Sequence, residues 1–128
     1  MILDTSAVIA VVMQEPGYET MVEKLTRADR LGIGTPSLTE TAIVLSARLR
    51  SDARALLARF LFEGSIVTVP FVDAHYGVAL DAWLRFGKGR HQAALNFGDC
   101  MAYAVARVAH EPLLCTGEDF AKTDLELG

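Results

Sequence analysis

The chain has 128 residues, 52% hydrophobic and 22% charged, with 12 Lys and Arg against 16 Asp and Glu for a formal net charge of −4. This length fits one domain over residues 1–128, and a mean hydropathy of +0.29 excludes intrinsic disorder. No apolar stretch approaches the roughly 18 residues of a membrane span, and a net acidic chain does not hold nucleic acid by charge alone.

Met1-Ile2-Leu3 reads as a short buried strand ending at Asp4-Thr5-Ser6. Because Asp4 interrupts the first apolar run at once, no signal peptide is read there. Ala7 to Met13 is apolar nearly all round, as in a fully buried helix, and Pro16-Gly17 breaks it. Tyr18, Met21, Val22 and Leu25 then recur at helical spacing. Leu31 to Thr35 forms a second strand closed by Pro36, and Ser37 to Leu49 a helix. Another amphipathic helix runs to about Phe62, and the β-branched run from Ser65 to Val69 is a third strand ended by Pro70. Asp73 caps a helix to about Phe86, with Trp83, Phe86, Phe60 and Phe62 expected mainly in the core. Gly87-Lys88-Gly89-Arg90-His91 is a basic loop. A helix from about Gly98 to His110 and a fourth strand, Leu113 to Thr116, lead into a polar tail.

Short apolar strands separated by helices predict βαβ units, a mostly parallel sheet and helices on both faces. Ligand sites in such sheets lie at the carboxyl ends of the strands. Asp4 follows the first strand, Glu40 lies in the helix after the second, Asp99 opens the helix before the fourth, and Asp119 follows the fourth. Several carboxylates on one edge repel one another unless a cation neutralises them. An all-oxygen set without Cys/His ligand spacing favours Mg2+ or Mn2+ over zinc. The matching chemistry is metal-assisted phosphodiester hydrolysis.

Ordinary structural roles compete at each position. Ser37-Leu38-Thr39-Glu40 reads as a capping box, Asp99 suits a helix N-terminus, and Asp119 suits a turn after Gly117. Lys88 and Arg90 are candidate phosphate contacts beside Asp99 or a solvated loop. Asn96 is expected to shape the turn before Gly98, and Cys100 to pack in a helix rather than act as a nucleophile. With no export signal, Cys100 and Cys115 are expected to be reduced thiols of a cytoplasmic protein. Arg48, Arg50, Arg54 and Arg59 read as exposed positions on two helices, and His75, His91 and His110 are too scattered for a metal site. An aspartyl-phosphate phosphotransferase needs a second Asp two residues after the nucleophile, where this chain has Ser6. A non-catalytic module holding a cation in an acidic pocket is the other alternative.

Met1-Ile2-Leu3-Asp4-Thr5-Ser6-Ala7, Glu40 after a Pro-Ser turn, and Leu95-Asn96-Phe97-Gly98-Asp99-Cys100 together resemble the PIN-domain ribonucleases. Within them the chain is most similar to VapC-type toxins of bacterial toxin–antitoxin modules. The resemblance covers essentially the whole chain. It implies a three-layer α/β/α fold with a short, mostly parallel central sheet, Mg2+-dependent endoribonuclease activity on RNA, a homodimer, and inhibition by a cognate antitoxin. Apolar surface on the first two helices is one candidate groove for an antitoxin helix. Carried over position by position, Asp4, Glu40 and Asp99 correspond to the first three family acids, with Asp4 and Asp99 as direct metal ligands. The fourth acid commonly sits three residues before the tail phenylalanine, where this chain has Gly117, so Asp119 takes the role with Glu118 competing. Thr5 or Ser6 is expected to orient a metal-bound water or a phosphate.

Overall fold

The computed structural model describes residues 1–128. In chain order the elements are β1 (Ile2–Leu3), α1 (Thr5–Val12), α2 (Tyr18–Arg27), β2 (Leu31–Gly34), α3 (Thr35–Leu49) and α4 (Arg54–Glu63). They continue with β3 (Ile66–Val69), α5 (Asp73–Phe86), α6 (Phe97–Ala109), β4 (Leu113–Leu114) and a closing 3-10 turn at Phe120–Lys122. The strands form one wholly parallel sheet in the order β3-β2-β1-β4. Strands this short persist because both faces are covered and successive side chains point to opposite layers. Ile2 and Leu113 enter the core built with α5 and α6, while Leu3 and Leu114 enter the core built with α1, α3 and α4. The result is the expected three-layer α/β/α sandwich. No helix is long and apolar enough to cross a membrane.

Several boundaries move for identifiable reasons. Proline is tolerated in a first helical turn, where no intrahelical partner is lost. Pro36 therefore sits inside the start of α3 instead of closing β2, and α3 begins at Thr35. Ser37 consequently lies buried within the helix, and the alternative of a Ser37–Glu40 capping box does not form. Asp73 is the first residue of α5 and not its cap; Val72 occupies that place, and its N–H donates to His75 Nδ1 at 3.0 Å. Phe86 is buried as expected, but Trp83 is 40% and Phe62 85% exposed, so neither belongs wholly to the core. Arg59 pairs with Glu63 and Arg48 with Glu15 on the surface.

Two features of this topology position the acidic residues. The chain steps outward from β1 through β2 to β3, and then crosses back over α5 and α6 to lay β4 on the other side of β1. The switch in direction therefore falls between β1 and β4, and it is beyond the strand ends at such a point that open parallel sheets place their ligand sites. Beyond β4, the tail folds back along the sheet. Leu113 N–H donates to Glu126 O at 2.9 Å and Gly128 N–H to Leu113 O at 2.8 Å. Asp124 pins this tail by accepting from the buried Tyr103 hydroxyl at 2.6 Å and from Arg85 at 3.1 Å.

Candidate active site

Asp4 ends β1 and is at once the N-cap of α1. Its Oδ2 accepts from Ser6 N–H at 3.0 Å and from the Ser6 hydroxyl at 2.6 Å. The carboxyl is buried, and burial holds it above the ordinary carboxylate range. The Ser6 bonds oppose that rise, and the negative charge of Glu40 adds to it. Ser6 Oγ also accepts from Thr116 N–H at 3.0 Å, stitching the end of β4 to Asp4 across the switch point. This hydroxyl thus fixes the acid. Thr5 is buried, its hydroxyl donates to Ser37 O at 3.1 Å, and it accepts from Thr41 at 3.3 Å. Thr5 ties α1 to the base of α3, the helix that carries Glu40.

Glu40 stands exposed one turn up α3, against the start of α6. A Cβ built on Gly98 would lie 2.7 Å from Glu40 Oε2 and 3.2 Å from Oε1, so residue 98 leaves room for the Glu40 carboxylate only as glycine. At the same turn Asn96 caps α6 reciprocally with Asp99: Asp99 N–H donates to Asn96 Oδ1 at 2.9 Å, and Asn96 N–H to Asp99 Oδ2 at 3.0 Å. Asp99 is pushed up to about 6, first by burial and then by the charges of Asp4, Asp119 and Glu40, against the lowering bond from Asn96. Four carboxylates from four separate segments are therefore felt at one place. Between the two candidates in the tail, the Asp119 charge acts on Asp99, whereas the Glu118 charge acts on Cys115. Asp119 itself is exposed, held by the buried Phe120 that follows it.

The donor set is hard and oxygenic. Burial pushes the Cys100 and Cys115 thiols up to about 11, so neither supplies a thiolate near neutral pH. His75 and His91 each spend Nδ1 on a backbone N–H, and His110 terminates α6 at its far end. No group of three acidic, histidine or cysteine side chains stands ready-made around one point. One oxygen of Asp4 and one of Asp99 are turned to Ser6 and Asn96, and mutual repulsion opposes closer approach. By donor chemistry alone, an all-oxygen set suits a hard divalent cation better than zinc.

The basic loop is not folded onto the acids. Arg90 Nε donates to Leu84 O at 3.0 Å and its guanidinium lies 5.0 Å from the Trp83 ring centroid, which holds it against α5. Lys88 is exposed, and neither residue forms an ion pair. Sequence reading missed Gly98, for which it offers no signal, and the reciprocal Asn96–Asp99 bonds, whose three-residue spacing was legible.

The PIN domain family profile matches residues 1–126. "VapC ribonuclease Mb2004c" of Mycobacterium bovis and "Ribonuclease VapC36" of Mycobacterium tuberculosis are each 46% identical over 127 residues, covering 98% of this chain and 91% of the relative. Among solved structures, Mycobacterium tuberculosis VapC20, described as a sarcin-ricin loop cleaving toxin, superposes with a TM-score of 0.75 at 17% identity, over 97% of this chain and 95% of that one. VapBC2 from Rickettsia felis, bound to a DNA fragment from its promoter, gives a TM-score of 0.74 at 16% identity, over 99% and 96%. A carboxylate-lined switch point on a four-stranded parallel sheet and near-full-length likeness to these proteins place the chain in the PIN-domain family.

Proposed function

We propose that this protein is the toxin of a toxin–antitoxin pair, an endoribonuclease that uses Mg2+, with Mn2+ as a substitute, to hydrolyse RNA phosphodiester bonds. The observation that carries the reading is the near-full-length likeness to VapC ribonucleases at 46% identity, with Asp4 and Asp119 placed after strands and Asp99 opening α6. In this reading Asp4 and Asp99 hold the cation, with Glu40 and Asp119 completing the acidic wall. The bound ion supplies an activated water and charge neutralisation at the scissile phosphate. Ser6 keeps Asp4 in place, Asn96 fixes Asp99, and Gly98 gives Glu40 its place.

Lys88 stays in this reading as a phosphate contact at the rim, since its ammonium is uncommitted. The chain acts as one domain, in the cytoplasm, as a homodimer. An antitoxin helix has two apolar grooves to choose from. One of about 490 Å3 involves Val11, Val22 and Leu25 with Phe60, and one of about 680 Å3 lies between α3 and α4, where Ile43 is exposed. The phosphotransferase alternative lacks its second acid, because Ser6 occupies that position and bonds to Asp4.

The test is cleavage of a labelled RNA by purified protein. Cutting with Mg2+ or Mn2+ that stops on adding EDTA is expected, and Asp4→Asn or Asp99→Asn should abolish it while the circular dichroism spectrum is retained. Cutting that persists in EDTA, or in both variants, refutes the proposal.

A further inference from the structure

Beyond β4 the chain reaches Asp119 through a joint that does not fix it. Gly117 takes a φ of +81°, which side chains rarely adopt, and a Cβ built there would meet nothing within 4 Å. Glu118 after it is exposed. The place of Asp119 is therefore set from its other side, by the stretch that runs on to Asp124. That stretch is bonded as a unit. Lys122 N–H donates to Asp119 O at 3.2 Å, and the Thr123 hydroxyl donates to Phe120 O at 2.7 Å while accepting from Leu125 N–H at 3.2 Å. Phe120 and Leu125 are buried in the core with α5 and α6. Their apolar contacts attach the unit but are non-directional.

Direction comes from Asp124. Its Oδ1 accepts from the Tyr103 hydroxyl at 2.6 Å, and its Oδ2 lies 3.1 Å from Arg85 Nη1 and 3.4 Å from Arg107 Nη2. Exposed ion pairs such as those with the two arginines are weak singly. The Tyr103 bond is different, being short and charge-assisted, from a residue only 3% exposed. Burial and the Asp124 carboxylate push the Tyr103 hydroxyl up to about 12, so it stays a donor. Three donors from two helices thus converge on one carboxylate. Asp99, Tyr103 and Arg107 stand four residues apart on α6, on successive turns of one face. Tyr103 lies about 6 Å along the axis from Asp99. The helix that presents Asp99 in its first turn is the one against which the Asp119 segment is registered.

We infer that Asp124 is a positioning residue of the acidic site: gripped by Tyr103, Arg85 and Arg107, it fixes where Asp119 stands relative to Asp99. The inference rests on the reading that Asp119 belongs to the metal-binding wall.

The test is a double-variant cycle on the full chain, read by Mn2+ affinity in calorimetry and by single-turnover RNA cleavage. Tyr103→Phe deletes the 2.6 Å bond and keeps the ring, and Arg85→Gln loosens the grip from an exposed position, outside the core. Each should weaken Mn2+ binding about threefold or more, less than the roughly 10–100-fold typical of a group bonded to a metal ligand itself. In an Asp119→Asn background the same two changes should cost nothing further, because no carboxylate is left to place. Equal losses in both backgrounds, or no loss in either, overturn the inference and leave Asp124 a fastener of the tail. Wild-type Mn2+ affinity in Asp119→Asn overturns it too, as does a wild-type chain that binds no Mn2+. The nuclease reading fails separately. Mn2+ binding that depends on Tyr103 through Asp119, without RNA cleavage, removes the nuclease reading and keeps the positioning role. Metal-dependent cleavage with equal losses in both backgrounds removes the positioning role alone.

Discussion

Substituting Gly98 by Ala puts a methyl carbon 2.7 Å from Glu40 Oε2, about 0.7 Å inside the 3.4 Å of ordinary contact. The obstacle is the tip of an exposed, flexible side chain, so the fold absorbs it by moving Glu40 and not the backbone. Alanine meanwhile favours a helix over glycine by up to about 1 kcal/mol, so the melting temperature should stay level or rise by roughly 2–5 °C. Activity should move the other way. A displacement approaching 1 Å in a catalytic group costs on the order of 10²-fold, and a ten- to hundredfold fall in single-turnover RNA cleavage is expected. Because both changes act through one carboxylate, Gly98→Ala added to Glu40→Gln should cost little more than Glu40→Gln alone. A Gly98→Ala protein that cuts at the wild-type rate, or a double variant whose losses multiply, would refute the assignment of Glu40 to the site.

Two further outcomes are expected from the acids and their supports. The Asp99 carboxyl, raised to about 6 in the folded protein from 3.8, keeps a proton that the unfolded chain has already released. Its contribution therefore falls as pH rises from about 4 through 6, so the metal-free melting temperature should drop between pH 4 and 6 and level off above. Asp99→Asn should flatten that slope, and Mn2+ binding near pH 6 should release protons measurable by calorimetry in buffers of different ionisation heat. A slope unchanged in Asp99→Asn would exclude Asp99 as its source. Ser6→Ala strips two bonds from Asp4 Oδ2 and one acceptor from Thr116 N–H. About 1–3 kcal/mol of stability should go with them, together with affinity for Mn2+. Unchanged Mn2+ affinity would reduce Ser6 to a purely structural residue.

Most of the architecture was readable because its causes are local. Runs such as Ile66 to Val69 and Leu113-Leu114 carry the apolar or β-branched signature of short strands, and Pro16-Gly17 and Glu111-Pro112 punctuate the helices. The places of Asp4 and Asp119 after strands and of Asp99 at a helix start were readable because the end of a parallel strand is a position defined by sequence order. Failures came where a residue had two lawful uses. Pro36 can end a strand or open a helix, and only the packing of Ser37 and Thr41 against Thr5 decides. The hydroxyls beside Asp4 give no hint of their partners until the chain is folded and Thr116 and Ser37 meet them. The helical periodicity of Trp83 marked it as apolar without saying whether a neighbour covers it. Gly98 was silent because its meaning lies in a side chain 58 positions away.

The returning tail does more than carry an acid. By lying along Leu113, residues 126–128 seal one rim of the sheet, and the opposite rim at β3 is left with Val67 bare. Loss of the segment beyond Thr116 would thus remove Asp119 and, in the same stroke, uncover backbone able to recruit another strand. A shortened chain of this build would be a sticky one, and its acidic edge and its closed sheet rim are secured by a single stretch of chain.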